Sequence, residues 1–91
     1  MLTEFKIKAV SKIHRGNPWP LGSSITNRGV NFSVAAPQAR YLELLIFEEA
    51  NDIKPKEIIV LRANNKSGDY WHVEVEGLSA GSFYAYRVFH E

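Results

Sequence analysis

"YWHVEVEGLSAGSFYAYRV", residues 70–88, holds two alternating runs joined by a tight turn. In the first run Trp71, Val73 and Val75 point one way, while Tyr70, His72, Glu74 and Glu76 point the other. Successive side chains on a strand alternate between faces, so this period of two predicts a strand with one apolar face. In the second run Tyr84, Tyr86 and Val88 share a face opposite Phe83, Ala85, Arg87 and Phe89. Between them, Leu78, Gly81 and Tyr84 stand at the spacing of a tyrosine corner. In that device a leucine plugs the interior, a glycine allows the turn, and the tyrosine hydroxyl bonds back to the chain a few residues upstream. The corner points to an all-β, immunoglobulin-like antiparallel sandwich of the early-set type. Phe32, Trp71, Leu78, Tyr84 and Tyr86 are expected in its core.

The rest of the chain repeats the pattern. Val30, Phe32 and Val34 alternate with Asn31 and Ser33, which predicts one apolar and one wet face; Pro37 closes the run because proline cannot donate to a ladder. From Arg40 to Glu48, Leu42, Leu44 and Ile46 oppose Glu43, Leu45 and Phe47. Both faces are apolar towards the end of this run, as in a central strand or one covered by another segment. Glu57 to Arg62 reads as a short β-branched strand, and residues 64–69 have turn composition. One more strand is expected from about Pro20 to Ile25, and a further short one in "EFKIKAV", residues 4–10. Six to seven strands at roughly a dozen residues apart, with no helical stripe, make a sandwich or a barrel, and the corner supports the sandwich. Residues 1–15 are expected to form an N-terminal arm or edge strand, and 16–91 the sandwich.

Composition limits the functions open to such a domain. The chain has 91 residues, 45% of them hydrophobic, enough for one core. It has no cysteine, so disulfides, thiolate metal sites and cysteine nucleophiles are excluded. Eleven basic against ten acidic residues leave a net charge of +1, no field for gripping nucleic acid or an anionic membrane. Lys6, Lys8, Lys12, His14 and Arg15 cluster near the N-terminus and read as solvated charges on an arm. No apolar run approaches the roughly 20 residues of a membrane span, and the N-terminus lacks the apolar region of a secretory signal. A cytoplasmic location is expected. The two Asn-x-Ser triplets, at Asn31 and Asn65, read as chance matches.

No reaction centre is expected. Glu48, Glu49 and Asp52 share a loop, but adjacent carboxylates near a strand end point apart and stay solvated instead of splitting their pKa values. His14, His72 and His90 have no ligand spacing, so no metal and no cofactor is expected; His72, on the polar face of its strand, is expected to be exposed. The aromatic residues are the candidates. An exposed flat ring stacks on the apolar face of a pyranose, or anchors a partner domain. Tyr70, Phe83 and Phe89 lie opposite the expected core. Trp19, between Pro18 and Pro20, is expected to pack in the core or at a sheet edge, with a surface platform as the alternative.

A series of motifs then places the chain. Pro18-Trp19-Pro20-Leu21-Gly22, Gly29-Val30-Asn31-Phe32-Ser33-Val34, Leu42-Glu43-Leu44-Leu45-Ile46-Phe47, Gly68-Asp69-Tyr70-Trp71-His72, and Gly77-Leu78-Ser79-Ala80-Gly81 with Tyr84-Ala85-Tyr86-Arg87-Val88 occur in that order. Over residues 16–90 this resembles the N-terminal domain of isoamylase-type glycogen debranching enzymes, a carbohydrate-binding module of family 48 that precedes a glycoside hydrolase family 13 barrel. The resemblance implies a non-catalytic accessory module. Its partner would be the catalytic barrel of the same polypeptide, which acts on α-1,6 branches, with branched α-glucan such as glycogen as a further contact. The catalytic carboxylates of such enzymes lie in the barrel, so no catalytic residue carries over. Members continue past the Tyr84–Val88 strand with another strand, which implies that residues 16–91 lack the last one. Glycan-binding members carry aromatic platforms in the loop after the Leu42–Glu48 strand, where residues 48–57 here hold no aromatic residue. The alternative is a purely structural interaction domain, like fibronectin type III modules, with no affinity for glycan.

Overall fold

The computed structural model describes residues 11–78 and 81–90. Eight strands run along the chain: β1 (Ile13–His14), β2 (Gly22–Ile25), β3 (Gly29–Ala35), β4 (Tyr41–Phe47), β5 (Glu57–Leu61), β6 (Lys66–Ser67), β7 (Tyr70–Glu76) and β8 (Phe83–Phe89). The only helical element among the described residues is one 3-10 turn, Ala63–Asn65. The strands form two antiparallel sheets: one ordered β1-β7-β3-β2 with β6 also on β7, the other ordered β5-β4-β8. The count exceeds the expected six to seven because β1 and β6 are two residues each, too short for alternation to reveal. The expected strand in residues 4–10 lies outside the described residues.

Register puts the predicted apolar faces together. Val30 pairs with Val75 and Phe32 with Val73 in one sheet; Leu42 pairs with Leu61, and Leu44 with Ile59, in the other. Between the sheets Leu42, Leu44, Ile46, Val73 and Val75 are fully buried and Trp71 is 1% exposed. Each such side chain contributes roughly 1.5–3 kcal/mol by leaving water. The Trp71 indole N–H donates to the Ala36 carbonyl at 3.0 Å, so the ring enters the core with its one polar atom satisfied. Gly29 is required by the β3–β7 ladder, since a Cβ there would stand 2.0 Å from the Val75 carbonyl oxygen.

The outer face of the larger sheet departs from expectation. Asn31, Ser33 and Glu74 are buried and His72 is completely so, although alternation assigned them to a wet face. The cause is the segment after β1, residues 15–20, which lies over that face as a strap. The Asn31 carboxamide accepts from the Asn17 N–H at 2.9 Å and donates to the Asn17 carbonyl at 3.0 Å. The Ser33 hydroxyl donates to the Pro18 carbonyl at 2.7 Å. His72 Nδ1 faces the Arg15 carbonyl at 2.8 Å and so carries the hydrogen, leaving Nε2 for the Ser67 hydroxyl. Gly16 makes the close approach possible. Its φ is +75°, and a Cβ there would meet the Asn31 side chain and the Val73–Glu74 backbone at 2.5–2.8 Å.

Charged residues finish the same face. Arg28 donates to Glu74 at 2.8 Å, and His14 pairs with Glu76. The hydrogen bond from Thr26, then the Arg28 guanidinium, holds the Glu74 carboxyl below its usual range against the opposing pull of burial. A hydrogen bond from His14 does the same for Glu76. Of the basic residues near the N-terminus, Arg15 is engaged too, by the carbonyls of Asn64 and Lys66.

Two tests follow from this arrangement. Gly16→Ala adds left-handed strain and a collision with backbone, and should cost at least about 2 kcal/mol in urea unfolding. Asn31→Ala, which strands the Asn17 N–H and carbonyl, should cost about 1–3 kcal/mol; wild-type stability in both variants would show that the strap is not docked. The second test concerns pH. A carboxyl whose folded pKa is lowered stabilises the fold above its unfolded pKa, about 4.3, and loses that contribution as pH falls through the folded value. Glu74→Gln should therefore be less stable than wild type at neutral pH, with the gap closing on acidification; a gap that widens in acid would contradict the assignment.

Candidate functional site

The exposed aromatic side chains fall into two groups, one on each sheet. The first stands at the end of the strap. Trp19 is 60% exposed, so it is a surface residue and not the core residue that was one of its expected placements. Its ring centroid lies 5.1 Å from that of the half-buried Tyr70, with the planes tilted by 51°. Beside it Leu21 is also exposed. The strap thus sets Trp19 on the first residue of β7, two candidates that lie 51 positions apart in the chain.

The second group lies on the outer face of β5-β4-β8. Phe47 and Phe83 are directly paired across β4 and β8. They border a shallow hollow of about 390 Å³, completed by Ala50, Asp52, Ser82, Tyr84 and Ala85. Asp52 comes from the loop of three acidic residues. Its carboxylate accepts from the Glu49 N–H at 3.0 Å, and its own N–H donates to the Glu49 carbonyl, so it closes a turn at the hollow's rim. Phe47 is a lining residue that sequence reasoning did not single out, although alternation along β4 had set it on the outer face. At the other end of the same face Phe89 stacks on Tyr41, with centroids 4.5 Å apart and planes within 6°. The Arg62 guanidinium stands 4.8 Å over the Tyr41 ring. One face of Phe89 is therefore already used. Between the two ends Arg87 donates to Glu43 at 2.9 Å, and along β5 Ile58 and Val60 are exposed.

The expected core residues divide. Phe32, Trp71 and Leu78 are buried. Tyr84 is not: it is 37% exposed, its ring set edge-on to Phe32 with centroids 4.8 Å apart. Its hydroxyl has no hydrogen bond among the described residues, so the reach-back of a tyrosine corner is not seen there; Ser79 and Ala80, in the turn, lie outside them. The reason for the exposure is position. β8 is the edge of its sheet, and the facing β2 stops at Gly22, opposite Ser33. Val88, on the same inner face, is 41% exposed for the same reason. Tyr86 packs against the core, but its hydroxyl is buried with no hydrogen-bond partner among the described residues, and burial, then the neighbouring Tyr84, pushes its pKa up.

Among the described residues no three His, Asp or Glu side chains gather as a metal site. His72 is consumed by the strap, and the carboxylates of the acidic loop make no pair with an acid–base partner. What the described surface offers is exposed or half-buried aromatic side chains on both sheets. Residues 20–91 match the family model for carbohydrate-binding module 48, the isoamylase N-terminal domain, and the chain belongs to that family. It is 35% identical over 79 residues to a glycogen debranching enzyme of Pectobacterium atrosepticum, a match covering 87% of this chain and 11% of that one. It is 36% identical over 84 residues to the chloroplastic isoamylase 3 of Oryza sativa subsp. japonica, covering 85% and 11%. The chain therefore spans about a tenth of the length of these relatives.

Tyr86 provides a test of the open side of the core. Tyr86→Phe removes a hydroxyl that has left water without gaining a bond. Its stability should equal or exceed wild type, by up to about 1–2 kcal/mol in urea unfolding. A loss of similar size would mean that the hydroxyl has a partner.

Proposed function

We propose that this chain is the non-catalytic accessory module of a glycogen- or starch-debranching enzyme, one that rests on the catalytic domain of its own polypeptide and contacts branched α-glucan. The observation that carries the reading is the outer face of β5-β4-β8. A sheet of a small sandwich normally turns polar side chains outward. Here Leu45, Phe47, Ile58, Val60, Phe83 and Phe89 all face out, from all three strands. Exposed apolar area of that kind marks a contact surface. The hollow between Phe47 and Phe83 is suited to a glucosyl ring, with aromatic faces for its C–H side and the Asp52 carboxylate at the rim for its hydroxyls. Ile58 and Val60, which offer no ring and no polar partner, suit a protein neighbour.

The open inner face of β8 belongs to the same reading. Its free edge, its exposed Val88 and the unpartnered Tyr86 hydroxyl suit a sandwich that takes one further strand there.

Titration of the 91-residue chain with maltoheptaose and with glycogen, followed by amide chemical shifts, tests the sugar contact. Shifts should centre on Phe47, Phe83 and Ala85, and Phe83→Ala should weaken binding by at least about fivefold while leaving stability within about 1 kcal/mol. Silence at millimolar sugar would leave the alternative, a structural interaction domain; the exposed Ile58 and Val60 are the feature that favours it.

A further inference from the structure

We infer that Trp19 and Tyr70 form a second glucan contact, on the other sheet from the Phe47–Phe83 hollow and independent of it. The inference rests on the proposed reading of the chain as a glucan-binding module and adds a site to it. Four features carry it. First, Trp19 is the exposed one of two tryptophans: it is 60% exposed and Trp71 only 1%. Second, the ring is held. The strap residue before it, Pro18, is fixed by the buried Ser33 hydroxyl, Asn17 by the buried Asn31 carboxamide, and proline stands on both sides of Trp19. A preset ring loses little freedom when a ligand stacks on it, so more of the contact energy appears as affinity.

Third, the two rings are close and not coplanar, 5.1 Å apart and tilted by 51°. Successive glucosyl units of an α-1,4 chain turn their faces progressively as the chain winds. An angled pair of rings follows such a chain, whereas a flat β-1,4 chain calls for coplanar rings. Fourth, polar groups flank the rings in the sequence: the Asn17 carboxamide and the Asp69 carboxylate, both on exposed residues and neither bonded among the described residues. They can meet sugar hydroxyls at the edges of a stacked unit. Trp19, Leu21 and Tyr70 are three residues, far fewer than the roughly 20–30 a side of a stable protein–protein interface.

Two contacts on separate sheets give a branched polymer more than one hold. The second contact acts at the effective concentration set by the first, so affinity for glycogen exceeds that for a short linear sugar.

Acrylamide quenching isolates the site, because Trp71 is shielded in the core. On the 91-residue chain, maltoheptaose at millimolar concentration should lower the quenching constant of the exposed tryptophan by about twofold. Cellohexaose should protect it less. Phe83→Ala should leave this protection in place. Trp19→Ala should leave the chemical-shift response of Phe83 in place and yet weaken glycogen binding by about tenfold. If quenching is unchanged by maltoheptaose while the Phe83 signals move, the hollow stands and the second contact falls. If neither responds, both fall. Equal protection by cellohexaose overturns the assignment to an α-glucan, and protection only by an added catalytic domain overturns it in favour of protein docking.

Discussion

The fold depends on a contact between a stretch of backbone and three side chains of the β3–β7 face. Residues 15–18 run across the sheet and offer it two carbonyls, an N–H and a third carbonyl, which Asn31, Ser33 and His72 take up. Glu74 closes the row with Arg28. Hydrogen bonds of this kind contribute modestly when made, about 1 kcal/mol each, but a buried polar group left without one costs about 1–3 kcal/mol. Strap and sheet are therefore matched all together or not at all. An alanine at position 16 would put a methyl group into Asn31, and any apolar residue at 31, 33 or 72 would leave strap carbonyls buried and unanswered. Side chains that look solvent-facing in the sequence are in fact the lock of a layered structure.

The consequence is an asymmetric sandwich. The larger sheet is covered on both sides, by the core and by the strap. Among the described residues the smaller sheet is covered on one side only, and its outer face is largely apolar around the Glu43–Arg87 pair. This inverts the usual economy, in which the bare side is polar and the covered one is not. It also explains why β4 carries apolar residues on both faces: Leu42, Leu44 and Ile46 face the core, and Leu45 and Phe47 face out. In a family named for binding carbohydrate, the outer face of the smaller sheet and the Trp19 tip of the strap are two places where the described chain exposes aromatic surface.

Much of this architecture could be read from alternation. The inward positions of β3 and β7 proved correct, and the two faces of β4 were grouped correctly, because a period of two fixes which side chains share a face whatever the surroundings. What alternation cannot convey is whether a face is covered. Asn31, Ser33 and His72 have the parity of wet residues and are dry, because the strap arrives from a part of the chain 14–57 positions away. Tyr84 has the parity of a core residue and is partly wet, because its strand is an edge and the strand facing it is short. The candidate site shows the same division. Phe83 and Phe89 were assigned to the correct face. The stacking of Phe89 on Tyr41 and the meeting of Trp19 with Tyr70 depend on cross-strand register and strap path, which are not local properties.

The two aromatic sites are tied to the fold in different ways. Phe47 and Phe83 project from neighbouring strands of a sheet whose stability comes from its opposite face, so either ring can be removed without disturbing what holds the strands. Trp19 lies outside any strand, its ring meeting Tyr70 at the start of β7. Its place is set by Gly16, Asn31 and Ser33, the same residues that close the larger sheet. A site built on a strap is rigid only while the strap is docked, and the strap docks only where every buried polar group finds its partner. The polar row that stabilises the larger sheet is thus also what holds an exposed tryptophan in one orientation. This gives a physical reason for keeping Asn, Ser and His at positions where apolar side chains would otherwise pack more cheaply.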